Sequence, residues 1–121
     1  MDWELKSDRP IYAQLIEQIT LAIVSGEYKA GDKLPSVRDL AEEAAVNPNT
    51  MQKALSELER DGLVYTQRTA GRFITEDIPL IEQKKRQLAM DQIGRFLAQM
   101  AGLGISREKI IELIQAETEE E

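Results

Sequence analysis

The sequence predicts a mainly α fold with one small β-hairpin (α+β): three helices and a hairpin, followed by two further helices. Three observations lead there. Apolar residues recur at spacings of three and four in two adjacent stretches, 36–45 and 47–62, with only a short gap between them. After Gly62 the period changes, and two β-rich runs, Leu63-Val64-Tyr65-Thr66-Gln67 and Arg72-Phe73-Ile74-Thr75, flank the turn Arg68-Thr69-Ala70-Gly71. Glu76-Asp77-Ile78-Pro79 then marks a boundary, and helical spacing resumes from Leu80.

Length and composition narrow the function classes. A chain of 121 residues holds one compact domain, or a small domain with an oligomerising appendage. There is no cysteine and no histidine, so disulfides, zinc sites, Cys/His nucleophile pairs and imidazole acid–base chemistry are all unavailable. No metal and no cofactor is expected. No apolar run approaches membrane-spanning length, and Met1-Asp2-Trp3-Glu4 is unlike a signal peptide, so a soluble, cytoplasmic protein is expected. The net charge of −7 argues at first against nucleic acid, but the tail from Glu117 to Glu121 alone supplies four of the negative charges. Phosphate contacts are made locally, and Arg38, Lys53, Arg68 and Arg72 fall in segments with few acids.

Taken in order, residues 1–9 read as a polar arm in which Trp3 and Leu5 pack on a neighbour. A helix starts at Pro10, a residue tolerated in the first turn, and ends at Ser25-Gly26. Its apolar face, Ile11, Tyr12, Leu15, Ile16, Ile19, Ala22 and Ile23, is broad enough for a central core helix. Lys33-Leu34-Pro35 is too short for more than an edge strand or connector. Ser36 caps the next helix, with Asp39 completing an approximate capping box and Val37, Leu40, Ala41 and Ala44 forming the buried stripe. Arg38 lies off that stripe in the first turn, where the helix dipole disfavours a cation. An external anion explains that placement, and so does a surface ion pair with Asp39 or Glu42.

Asn47 caps a third helix with Pro48 at its first position, and Gly62 ends it. Met51, Ala54, Leu55 and Leu58 make one stripe, while Asn49, Thr50, Gln52, Lys53 and Ser56 occupy the opposite face. No carboxylate occurs between Glu43 and Glu57. A recognition helix meeting DNA needs such an uncharged or cationic N-terminal half. A surface helix with a chance gap in acids fits the same residues. The short Ala45-Val46-Asn47 connection has the length of a helix-turn-helix turn. A hairpin directly after such a unit is the wing of a winged helix, whose tip reaches phosphates or the minor groove. A hairpin that only closes the core is the alternative.

Beyond Pro79, the stretch 80–101 carries Ile81, Leu88, Ile93, Phe96, Leu97 and Met100 at helical spacing. Gly102-Leu103-Gly104 breaks it, and Ser106 caps a last helix with Ile110, Ile111, Leu113 and Ile114 on its buried side. Two helices cannot bury these faces on each other alone. A second copy of the chain is the expected partner, with Leu88, Ile93, Phe96, Leu97, Met100, Ile110, Leu113 and Ile114 at the contact. Folding back onto residues 10–78 is the alternative. The expected division is therefore 1–78 and 79–121.

The residues resemble the GntR family of bacterial transcription factors. The match runs through Gly31-Asp32-Lys33-Leu34-Pro35-Ser36-Val37-Arg38-Asp39-Leu40-Ala41, Val46-Asn47-Pro48-Asn49-Thr50, Lys53-Ala54-Leu55, Leu58-Glu59, Asp61-Gly62-Leu63-Val64 and Gly71-Arg72-Phe73-Ile74. It covers roughly residues 10–75. The resemblance implies a winged helix that binds double-stranded DNA, with contacts from Ser36, Arg38, Asn47, Asn49, Thr50, Gln52 and Lys53, and from the wing at Arg68, Thr69, Gly71 and Arg72. Pro48 stands where members often carry an arginine or another polar residue, and the wing tip keeps a single glycine. The short remainder after Pro79 is similar to the YtrA-type branch, which implies a homodimer and, by analogy, control of transporter operons.

A homodimeric, sequence-specific regulator is thus expected, a repressor in sign, acting on an inverted-repeat operator. A winged helix used for protein–protein contact is the competing expectation, with the acidic surface as its docking site. An enzyme is not expected, because no carboxylates pair in a pocket-forming pattern. The residues identify no small-molecule effector.

Overall fold

In a computed structural model, which describes residues 1–119, the elements run α1 (Ile11–Val24), α2 (Val37–Ala44), α3 (Pro48–Arg60), β1 (Val64–Gln67), β2 (Gly71–Ile74), α4 (Ile78–Gly102) and α5 (Arg107–Glu119). This is the mainly α chain with a two-stranded antiparallel hairpin that the hydrophobic periods predict. The chain divides into two compact units, Met1–Lys85 and Arg86–Glu121. That division falls within α4. No helix among the described residues is long and apolar enough to cross a membrane.

In the first unit, α1 and α3 pack closely, and α2 leans on α3. Leu15 and Ile19 of α1, Leu40 of α2, and Met51, Leu55 and Leu58 of α3 are wholly inaccessible. Each such side chain stabilises the fold by about 1.5–3 kcal/mol through removal from water. Every member of the α3 stripe is buried. On α1, by contrast, Ile16 is only half-buried, and Gln14 takes a place in the core at 1% exposure. Its amide replaces the partners that burial removes. Gln14 accepts from the Lys6 backbone N–H at 2.7 Å and donates to the carbonyls of Lys6 at 2.7 Å and Arg9 at 3.0 Å. Gln18 likewise exchanges two bonds with the Glu4 backbone. The arm 1–9 is therefore stitched along α1, with Trp3 and Leu5 half-buried.

Helix starts follow the capping residues. Ser36 Oγ accepts from the Asp39 amide at 3.1 Å, and Asn47 Oδ1 accepts from the Asn49 amide at 2.8 Å. Pro10 sits one position earlier than the periodicity predicts, capping α1 rather than opening it. Between α2 and α3, Ala45 adopts φ 56°, ψ 47°, a left-handed conformation that an alanine enters at a cost. The bond from Val46 N to Ala41 O closes that turn. At the end of α3 the same conformation falls to Gly62, φ 82°, where a Cβ would also lie 3.3 Å from the Leu80 side chain.

The hairpin pairs Val64 with Ile74, Tyr65 with Phe73, Thr66 with Arg72 and Gln67 with Gly71. Tyr65 and Phe73 stack with centroids 5.7 Å apart. Lys33 bridges to Phe73, and Leu34 N donates to Arg72 O at 2.9 Å, so the 33–35 connector serves as the wing's third, minimal strand.

α4 begins at Ile78, two residues before its apolar pattern does, with Asp77 Oδ1 accepting from the Leu80 amide at 3.1 Å. Ile81 is buried in the first unit. In the second, α4 and α5 meet through the turn at Gly104, and Ser106 caps α5 through the Lys109 amide. Within the single chain α5 buries Ile110 and leaves Ile111, Leu113 and Ile114 exposed. Leu88, Leu97 and Met100 are half-buried, and Ile93 and Phe96 are exposed. One helical neighbour cannot cover more than one stripe of α5.

Candidate nucleic-acid interface

The start of α2 and the wing face each other in the first unit, and α3 packs against both α2 and β1. A groove of about 850 Å³ runs between the α2 start and the wing, with Ser36, Val37 and Asp39 on one side and Arg68, Gly71 and Arg72 on the other.

Capping decides which donors remain. At α3 the backbone has none to spare: Pro48 lacks an N–H, Asn49 N is taken by Asn47 Oδ1, and Thr50 N bonds Asn47 O at 3.0 Å. Any contact from this end is made by side chains: the Asn47 NH2 group, Asn49, Thr50 and Gln52. α2 differs. Asp39 N and Leu40 N are bonded to Ser36, but the Val37 and Arg38 amides have no protein acceptor among the described residues. Two amides at a helix start form an anion-receptive end. The Ser36 hydroxyl accepts in the cap and keeps its proton to donate outward.

The cations differ in their freedom. Arg38 is exposed and, among the described residues, has no carboxylate within 4 Å, so neither Asp39 nor Glu42 pairs with it. Arg68 and Thr69 stand exposed in the wing turn, and Arg68 is likewise unpaired among the described residues. Lys53 places its ammonium 4.1 Å from the centre of the Tyr12 ring, a cation–π contact that orients it on the α3 face. Gln52 Nε2 donates to Ser56 Oγ at 3.3 Å. Arg72 is bound inward: its Nε donates to Glu59 Oε1 at 2.8 Å. Gly71, which precedes Arg72 in the strand, has φ 110°, and a Cβ there would lie 3.3 Å from the Lys33 stem.

Three residues of this surface escape a reading by periodicity. Glu59 looks like one more solvated acid near the end of α3, yet it binds both strands of the wing through Thr66 and Arg72. Burial pushes its carboxyl pKa up, but the hydrogen bonds from Thr66 and Arg72 and the Arg72 charge outweigh that and hold it below the ordinary value. Tyr12 is hidden within the apolar stripe of α1, and Lys33 within the connector. Only the match of Lys33-Leu34-Pro35-Ser36 to the family pattern marks the latter.

Comparison with known proteins accounts for this arrangement. Residues 11–74 match the family model described as bacterial regulatory proteins, gntR family. The chain is 42% identical over 119 residues to the HTH-type transcriptional regulator YhcF of Bacillus subtilis, covering 98% of each chain. It is 38% identical over 111 residues to the HTH-type transcriptional repressor YtrA of the same organism, covering 91% of this chain and 85% of the other. A GntR family transcriptional regulator from Listeria monocytogenes superposes with a TM-score of 0.85 at 43% identity, over 93% of this chain and 98% of that one. A helix-turn-helix with its wing, an acid-free outer face on α3 and relatives of matching length that are named as regulators leave one assignment: this chain is a DNA-binding transcriptional regulator and belongs to the GntR family.

Proposed function

We propose that the chain acts as a homodimeric repressor on an inverted-repeat operator, with residues 1–78 binding DNA and residues 79–121 joining the two copies. One observation carries the dimer. Ile93, Phe96, Leu113 and Ile114 stand 49%, 39%, 47% and 46% exposed on α4 and α5, a concentration of large apolar side chains that a lone chain leaves in water. An isologous contact buries each of them twice over. Leu88, Leu97 and Met100, half-buried, complete the face on α4, and Ile110, already covered within the single chain, backs it from α5.

On DNA, α3 enters the major groove with Asn47, Asn49, Thr50, Gln52 and Lys53 toward it. Arg38 reaches a base edge or phosphate from α2, Ser36 and the Val37 and Arg38 amides hold phosphate, and the wing lays Arg68, Thr69 and Gly71 beside the backbone. Arg72 supports the wing from within. The repressor sign rests on the likeness to YtrA, named a repressor, and control of a transporter operon rests on resemblance to its branch. The place of action is the cytoplasm, where the DNA is.

Selection of bound duplexes from a random pool tests the reading directly. Recovered sequences are expected to share two inverted half-sites, and affinity is expected to fall steeply with salt. A single half-site with monomeric sedimentation overturns the dimer. Salt-independent or absent binding overturns the DNA interface and favours a winged helix used for protein contact.

A further inference from the structure

We infer that Glu59 is a positioning residue for DNA binding: its carboxylate fastens the wing to the recognition helix and thereby fixes where Arg68 stands. This rests on the DNA-binding reading above and adds to it a residue that does not itself touch DNA.

The geometry is specific. Thr66 and Arg72 face each other across the hairpin as one cross-strand pair. A single oxygen, Glu59 Oε1, accepts from both: from the Thr66 hydroxyl and, at 2.8 Å, from Arg72 Nε. The two side chains of the ion pair are only 20% and 31% exposed, so the pair is screened less than a surface bridge. Glu59 sits on the last turns of α3, beside the stripe whose Leu55 and Leu58 are locked in the core. A two-stranded hairpin is marginal by itself. Beyond the β1–β2 ladder, the connector holds the outer edge of β2, through Lys33–Phe73 and Leu34 N to Arg72 O, while Glu59 ties both β1 and β2 to α3 through Thr66 and Arg72. Arg68 lies two residues past Thr66, so its reach is set by the strand that Glu59 grips.

The inference opposes simple electrostatics. Removing a carboxylate from a DNA-facing surface should tighten binding, the more so because it releases Arg72 to seek phosphate. A positioning role predicts weaker binding instead. In full-length chain, Glu59→Ala is expected to weaken binding to a labelled mixed-sequence duplex on the order of three- to tenfold and to lower the salt slope by about one phosphate contact. Glu59→Gln, which keeps an acceptor for both donors, should recover most of that loss. In an Arg68→Ala background, Glu59→Ala should cost nothing further, because the group being positioned is gone. Amide exchange across 66–72 in the free protein, a readout independent of DNA, should accelerate at least about tenfold in Glu59→Ala while the α1 and α3 core stays protected. Tighter binding by Glu59→Ala, unchanged exchange, or a penalty that persists undiminished beside Arg68→Ala overturns the positioning role alone. A wild-type chain that binds no duplex overturns the DNA reading and the positioning role with it, whatever exchange shows.

Discussion

Arg38 occupies the first turn of α2, where the dipole disfavours a cation and no carboxylate among the described residues compensates it. The pairing with Asp39 or Glu42 that its neighbours allow is not made among the described residues. A guanidinium left free beside two open amides is able to take a phosphate as its counter-charge. Arg38→Ala should leave thermal unfolding unchanged, since Leu40 and Ala41 carry the packing of α2. It should cost operator binding about 1–3 kcal/mol if a guanine edge is read. Unchanged affinity for the selected duplex removes Arg38 from the interface. Residues such as Ser36 and Asn47 are legible in the sequence because a cap depends on neighbours two or three positions away. Gln14 is not, since a polar side chain in an apolar stripe is excused only by backbone partners that the arm brings back to it.

At the scale of elements, helices and hairpin follow from period and punctuation, whereas the links between them do not. The α2–α3 turn shows the limit. Ala45-Val46-Asn47 has the right length, but nothing in its composition announces a left-handed alanine. Relief of that conformation is worth about 1–2 kcal/mol, against roughly 0.5–1 kcal/mol for the added freedom of an unfolded glycine. Ala45→Gly should therefore stabilise the chain by up to about 1 kcal/mol and Ala45→Val destabilise it by more than that, read as opposite shifts in denaturant midpoint. The Glu59–Arg72 link spans 13 residues and exists only in one hairpin register, so no local pattern exposes it. Its pH response has a definite sign. A carboxyl held below its ordinary value stabilises the folded state fully above the unfolded value, about 4.3, and loses that contribution as pH falls through the lower folded value. Side-chain titration followed at the Thr66 and Arg72 amides should show the wing unchanged from neutrality down to that range and loosening only below it. A midpoint at or above an unperturbed glutamate rules the link out as a stabilising contact.

For the whole molecule, an acidic chain with few free cations can neutralise few phosphates per copy, so one winged helix alone should bind DNA weakly. In the proposed dimer, two copies joined through residues 79–121 would address two half-sites, and the second would bind at an effective concentration in the millimolar range. The exposed side chains of α4 and α5 allow this to be tested without shortening the chain. Phe96 and Ile114 are not part of the first unit's core, so Phe96→Asp with Ile114→Asp should leave α1–α3 folded while placing charges where the second copy is expected. Truncation after Pro79 is the poorer test, because it removes Ile81, which is buried in the first unit. The double variant should sediment as a monomer, keep its helical signal, and bind the selected inverted repeat more weakly by about two orders of magnitude or more. Its affinity for an isolated half-site should match that of the wild type, since each winged helix is untouched. A double variant that remains dimeric places the joining surface elsewhere, and a monomer that binds the full operator as tightly as wild type shows that linkage does not set its affinity.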